Sequence, residues 1–499
     1  MILQRRARIR LVLIVGAAVA LVAGLTAVAV VIDRAAHDAS PAAAALPDST
    51  GVHSAGGVPS TSPSLSPSAS SSAGLVSLAG APAARGGSGA RLRPVDGGAG
   101  YYGKFSPPLP GGSSFFPIGV WFESVLSQAD TDKDADAGIN TYVQLTDSTK
   151  MNLIRAAGMY AIQSDPKRAG AETVGWELPD EADMWAGPGD APWTGKYPGG
   201  GEICQPASAK CGYTVDQTIL GQYPQDNRLV YGNYGKGVTF WETNAQAARF
   251  VNQYPDVLSV DNYWLTDEGI CIKNEGGSLF DPSKLVPDPN GGSDRLPAAL
   301  CHRPANYGLT IDRVRSLVSP AGSKPVWAFI EVGHPNKDGD STLSAQPQQI
   351  VAAVWSSIIH GARGIIYFNH SFGGPCKTQH ALREPCYAAQ RAAVKGVDAQ
   401  VKALAPVLNA PFADNVARGT GVDVSTKWYG GHFYLLAGST ASGAQTARFT
   451  LPCVGNAQVS VLNENRTLTI NQGTFSDRFA DGNAVHIYRV DGGSSCGAY

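Results

Sequence analysis

Between residues 115 and 408 the hydrophobic positions alternate between two kinds of pattern. Short, nearly continuous apolar runs at 116–122, 139–145, 159–164, 174–179, 229–234, 257–264, 326–331 and 364–369 read as strands buried on both faces. Helical spacing occupies 148–157, 241–254, 310–318 and 346–360, and 388–408 follows the last strand. Strands alternating with helices predict a parallel sheet, and eight such units over about 300 residues predict a (β/α)8 barrel. A doubly wound open sheet is the competing architecture, but no G-x-G-x-x-G or G-x-x-x-x-G-K-[ST] turn follows an early strand. From about Phe412 the pattern becomes short alternating strands at 422–424, 432–436, 446–451, 458–461 and 484–490. Turn residues such as Gly430, Gly431, Gly482 and Asn483 separate them. This predicts a small antiparallel β-sandwich domain that either packs on the barrel for stability or binds carbohydrate.

The run PVWAFIEVGH, 325–334, places a carboxylate, Glu331, at the end of the seventh apolar strand. The fourth reads VGWELPDEADMW, 174–185, and brings Asp180 and Glu181 to the same end of the barrel. Strands four and seven face one another across a closed barrel of eight. Two carboxylates there can approach to about 5 Å, the spacing of a nucleophile and an acid/base acting on one glycosidic bond. A strand cap or an arginine ion pair is the alternative role for Glu331.

The remaining strand ends suit a sugar, which presents apolar ring faces and hydroxyl edges. Trp121, Tyr234, Tyr263, Trp264 and Trp327 are the candidate aromatic platforms, and Asp180, Asp261, Asn369 and His370 the candidate polar partners. Barrel interiors also need large side chains, so each aromatic has a core role as its alternative.

Composition narrows the classes. A net charge of −2 over 499 residues gives no electrostatic case for a nucleic acid or an anionic membrane surface as partner. Metal-dependent barrel hydrolases use clustered histidines. Here His302, His334, His360, His370 and His380 stand apart, with no H-x-H or H-E-x-x-H, so no metal is expected. No G-x-S-x-G elbow offers a serine nucleophile.

The N-terminus adds a compartment. Arg5, Arg6, Arg8 and Arg10 precede the uncharged stretch 11–32, which is long enough to cross a bilayer and predicts a membrane-spanning signal anchor, with a cleaved signal peptide as the alternative. Eight cysteines, none before Cys204, fall into sequence neighbours: Cys204 with Cys211, Cys271 with Cys301, Cys376 with Cys386, and Cys453 with Cys496. In an exported chain an even count reads as disulfides, and local pairing is favoured although spacing alone leaves connectivity open. The predicted organisation is a basic stub and anchor over 1–35, an Ala/Ser/Pro/Gly tether over 36–98, a barrel over 99–411 and a β domain over 412–499.

With these residues placed, the chain resembles the clan-A-like retaining (β/α)8 glycoside hydrolases that carry a C-terminal β domain. The resemblance rests on FFPIGVWFE, GWELPDEAD, LSVDNYW, IIHGARGIIYFNHSF and the tail VLNENRTLTINQGTFSDRFADGNAVHIYRV, and spans about 115–490. It implies Glu181 as acid/base and Glu331 as nucleophile, a carbohydrate polymer or oligosaccharide as partner, and no cofactor. Asp180 stands where the clan commonly has Asn, and Glu177 lies deeper along the same strand. A glycan-binding or scaffold protein on a hydrolase fold is the alternative from another class.

Overall fold

A computed structural model of the protein describes residues 90–289, 291–335, 344–492 and 496–497. The stretch 11–32 lies outside the described residues. Among the described residues no helix is long and apolar enough to cross a membrane. The expected membrane-spanning anchor, and with it the membrane as a partner, is therefore not supported among the described residues.

Eight parallel strands form the barrel: β2 (Ile118–Glu123), β3 (Thr141–Leu145), β4 (Tyr160–Gln163), β5 (Thr173–Glu177), β6 (Leu229–Tyr234), β7 (Val257–Val260), β8 (Ala328–Glu331) and β9 (Ile365–Phe368). They pair in the order β7-β6-β5-β4-β3-β2-β9-β8. A parallel bridge between Leu258 and Val326 joins the two ends, with Trp327 N donating to the Leu258 carbonyl at 2.8 Å. Each predicted apolar run coincides with one of these strands.

The outer layer holds α1 (Gln128–Ala137), α2 (Met151–Ala156), α3 (Ala182–Trp185), α4 (Gly212–Leu220), α5 (Asn244–Gln253), α6 (Asn306–Leu317), α7 (Pro347–Ile359) and α8 (Ala388–Leu408). Strands β4 and β5 are joined by a single 3-10 turn, Pro166–Arg168, in place of a helix. Helix α1, QADTDKDADA, was not predicted because it has no apolar stripe. Charge and polar bonding hold it instead: Asp134 is buried, pairs with Arg383 at 2.5 Å and accepts the Tyr142 hydroxyl at 2.7 Å.

Alternation along the strands sorts side chains between two cores. Trp121, Tyr231, Trp327, Phe329 and Phe368 fill the barrel interior, with Trp121 edge-on to Phe329 at 5.2 Å. Leu258, Val260, Ile330 and Tyr367 face the helices. The indole of Trp327 lies at the N-terminal end and donates to the Tyr102 hydroxyl at 2.8 Å. Gly364 makes room for it, since a Cβ there would meet the indole at 2.7 Å. Trp327 is thus core, not sugar platform.

The N-terminal mouth is closed by residues the sequence reading placed in, or just after, the tether. Residues Arg91–Arg93 form β1, which pairs antiparallel with β10 (Phe412–Asp414). Asp96 receives Arg315 at 2.5 Å, and Tyr101 donates to the Asp256 carbonyl at 2.8 Å. Residues 90–98, expected in the tether, thus carry paired groups, β1 joining the C-terminal sheet and Asp96 holding Arg315, while Tyr101 and Tyr102 cover the barrel floor; a composition rich in Gly and Arg concealed this.

The C-terminal strands are β11 (Arg418–Gly419), β12 (Val422–Tyr429), β13 (His432–Ser439), β14 (Gln445–Thr450), β15 (Ala457–Val461), β16 (Arg466–Ile470), β17 (Thr474–Phe479) and β18 (Val485–Asp491). A seven-stranded sheet, β1-β10-β12-β13-β18-β15-β16, faces a three-stranded one, β11-β14-β17. Inward residues such as Phe433, Val459, Phe449 and Phe479 form their shared core. Leu436 and Ile487 point the other way and join the helix layer of the barrel, so the two parts share one apolar interface. Disulfides link Cys204–Cys211, Cys271–Cys301, Cys376–Cys386 and Cys453–Cys496. The first three lie in the loops after β5, β7 and β9, on the C-terminal face of the barrel.

Trp327 has no exposed surface, and Trp327→Ala should cost about 3–5 kcal/mol of stability through the cavity it leaves. Urea unfolding of the variant checks this; a midpoint equal to the parent's would show that the barrel floor tolerates the void.

Candidate active site

The C-terminal end of the barrel gathers carboxylates over the aromatic interior. Along β5 the outward residue Trp176, stacked on Tyr223 at 5.3 Å, alternates with Glu177, whose parallel neighbour Tyr231 is an interior residue. Leu178 faces outward again. The chain then turns at Pro179 and Asp180, and Glu181 adopts a left-handed backbone, φ 50°, as it opens α3. Such a conformation costs a non-glycine residue free energy and clusters at functional sites.

Glu181 is 6% exposed. Its amide donates to the Asn233 carbonyl of β6 at 3.1 Å, and its carboxyl is hydrogen-bonded to that of Asp261, beyond β7. Burial first, then the charges of Asp180 and Asp183, push its pKa up to about 8 against the pull of Asp261 and Lys236. Lys236 cannot neutralise it fully because it already pairs with Asp267 and Glu275, each at 2.7 Å. Asp261 is itself pushed well above the ordinary carboxylate range by burial and by Glu181 and Asp180. Both carboxyls are therefore held above the ordinary carboxylate range, chiefly by burial.

Glu331 is fully buried at the end of β8. The Leu265 amide and the Tyr307 hydroxyl each donate to Oε1 at 2.6 Å, and Thr266 Oγ1 donates to Oε2. Burial raises its pKa to about 7, opposed by those three donors. All three partners are neutral, so the arginine ion pair weighed as an alternative role is not what holds it. Tyr263 stands between the groups. Its hydroxyl lies 3.5 Å from Asp261 Oδ2, and it feels the charges of Asp261, Glu181, Asp180 and Glu331 together.

The other expected site residues divide by the direction of their side chains. Asp180, Asp261, Tyr263 and His370 reach the mouth; Asp180 accepts from Asn233 Nδ2 at 2.9 Å, and His370 packs on Phe368 at 5.0 Å. Trp121 lies in the interior layer beneath. Asn369 donates to Glu123 and accepts from the Leu382 amide at 2.8 Å, so its amide orients the strand-eight loop. Tyr234 and Trp264 do not reach the site. Each sits one residue past an inward one and faces the helices, where Tyr234 donates to Asp216 at 3.0 Å and Trp264 to Thr310 at 2.8 Å. With Trp121 in the interior layer and Trp327 in the floor, four of the five proposed platforms are core.

Residues not anticipated include Asn233, Asp183, Thr266 and Tyr307. The parity of β6 could have found Asn233. Thr266 and Tyr307 meet Glu331 only because a long loop after β7 folds back, and no local pattern signals that. Glu177 occupies the deeper position expected for it, with both carboxylate oxygens buried and unbonded and its pKa well above the ordinary range through burial and Asp180.

No family model matches the chain, and no curated protein matches it. Solved structures similar to it include one titled a glycoside hydrolase, at 12% identity and a TM-score of 0.44, covering 76% of this chain and 93% of that one. A glycoside hydrolase family 5 protein from Bacteroides vulgatus matches at 11% identity and a TM-score of 0.43, covering 75% and 89%. A family 30 endoxylanase from Clostridium papyrosolvens matches at 10% and 0.37, covering 81% and 98%. At these values the likeness carries nothing about chemistry, which rests on the site itself.

The raised pKa of Glu181 has a stability consequence. Its side chain ionises near 4.5 when unfolded and about 8 when folded. The folded state binds the extra proton between those values, so stability falls as pH rises through that window. Glu181→Gln should match the parent below pH 4.5 and exceed it above pH 8, by on the order of 2–4 kcal/mol. Thermal unfolding across that range tests it; parallel curves for the two proteins would refute the buried-acid assignment.

Proposed function

We propose that this protein is an extracytoplasmic glycoside hydrolase that cleaves O-glycosidic bonds with retention of configuration. The observation that supports it most is the unequal pair of buried glutamates at the ends of facing barrel strands. One has Asp180 and Asp261 beside it and keeps its proton near neutral pH. The other, raised by burial to about 7, is held by three neutral donors that oppose that rise and favour its anion. Two carboxyl groups whose surroundings separate their pKa values are the arrangement needed for an acid and a nucleophile on one bond.

In this reading the Glu331 carboxylate attacks the anomeric carbon while the Glu181 carboxyl gives its proton to the leaving oxygen. The resulting ester links sugar and Glu331. Glu181, now ionised, takes a proton from water, whose oxygen attacks the anomeric carbon and frees Glu331. Leu265, Thr266 and Tyr307 fix the nucleophile's orientation. Asp261 holds the Glu181 carboxyl in place, while burial and the charges of Asp180 and Asp183 keep it an acid. The four disulfides suit an oxidising compartment and support a secreted protein.

Reducing-sugar release by the full chain on soluble polysaccharides tests the reaction. Glu331→Gln should lose at least ~10³-fold with any leaving group, whereas Glu181→Gln should lose ~10²–10⁴-fold on polysaccharide and far less on an aryl glycoside that leaves without a proton. Equal losses on both substrates would contradict the acid role. The pH profile of kcat/KM should rise through about 7 as Glu331 ionises and fall through about 8 as Glu181 loses its proton. A falling limb that persists unmoved in Glu181→Gln would assign it to another group.

A further inference from the structure

The loop after β5 carries an aromatic cluster that the reaction above does not use. Trp185 closes α3 four residues after Glu181, and Trp193 and Tyr197 follow on the loop. Tyr197 touches both, with ring centroids 5.6 Å from Trp185 and 5.4 Å from Trp193. Tyr197 is 45% exposed, and the two indoles are partly exposed. Both indole nitrogens are already satisfied: Trp185 donates to the Asp180 carbonyl at 2.7 Å, and Trp193 to the Lys196 carbonyl at 2.6 Å. What remains for a ligand is the ring surface.

The cluster is also held still. Trp193 bridges Cys204 across a short antiparallel pair, Thr194 N donates to the Ile203 carbonyl at 3.0 Å, and Gln205 N donates to the Pro192 carbonyl at 2.9 Å. The Cys204–Cys211 disulfide anchors the returning strand. Trp185 and Trp193 rest on the buried cluster of Ala182, Ala186, Cys204, Cys211 and Val215, which leaves their outer surfaces and the exposed Tyr197 as an apolar patch, and such patches mark binding sites.

Position names the occupant. Through its indole bond, Trp185 is tied to Asp180, the neighbour of Glu181. If Glu181 protonates the leaving oxygen, the sugars beyond that oxygen depart on the Glu181 side, over this loop. We infer that Trp185, Trp193 and Tyr197 form a stacking platform for pyranose residues on the leaving-group side of a glycan chain. Aromatic faces there meet the C–H faces of pyranose rings, and the protein accepts a polymer or long oligosaccharide. The leaving-group assignment rests on the acid role of Glu181; the glycan-binding platform itself does not require turnover.

Affinity electrophoresis of the full chain through gels containing β-glucan, xylan or arabinogalactan tests the platform. The parent should be retarded by at least one polymer. Trp193→Ala combined with Tyr197→Ala should weaken that retardation roughly 10-fold or more, and Trp193→Phe with Tyr197→Phe should restore it, because rings and not polar groups carry the contact. A parent that runs unretarded in all three gels, or an alanine pair retarded as strongly as the parent, overturns the inference. Reducing-sugar release measured in parallel keeps the two readings apart. Retardation without release would retain the platform and remove the reaction, and release with undiminished binding by the alanine pair would do the reverse.

Discussion

Desolvation of charge at one end of the barrel is the constraint on which the rest depends. Glu123, Glu177, Glu181, Asp261 and Glu331 are all buried there, above an interior filled by Trp121, Tyr231, Phe329 and Phe368. Water cannot reach the carboxylates from beneath, so each must keep a proton or collect donors. Glu331 collects donors; Glu181 and Asp261 are pushed toward their protonated forms; Glu123 is met by Asn369, His380 and Arg383. The differing solutions give chemically unlike groups within one mouth.

That arrangement needs a floor that does not open. The N-terminal segment provides it by crossing the barrel base with Tyr101 and Tyr102 and by adding β1 to the C-terminal sheet. The β domain is thereby fastened twice, through β1 and through Leu436 and Ile487 against the helix layer. Its role in the fold is to clamp the barrel, which leaves the three disulfide-bearing loops of the opposite face free to differ in length and content.

Those loops are where rigidity and chemistry meet. A long insertion costs little when its ends are already held near one another by adjacent barrel elements. The Cys271–Cys301 bridge closes the excursion that delivers Leu265, Thr266 and Tyr307 to Glu331. The Cys204–Cys211 bridge steadies the aromatic cluster beside Glu181. Positioning of the two glutamates thus comes from backbone at strand ends, while their electrostatic environment comes from loops.

Local pattern by itself determined the eight buried strands, their alternation with helices, the change to a β domain and the strand-end carboxylates, because period and burial on both faces are properties of a short stretch. It missed α1, whose fold is held by Asp134 and Arg383 from distant segments, and β1, whose partner is more than 300 residues away. Only the tertiary structure decided which aromatics face sugar and which face core. Tyr234 and Trp264 differ from inward neighbours by a single residue of strand parity, and Trp327 from Glu331 by its depth along the same strand. It alone brought Asp261 to Glu181 and Tyr307 to Glu331. Those contacts join residues 80 and 24 positions apart, a separation at which sequence specifies the residue types and chain closure specifies the meeting.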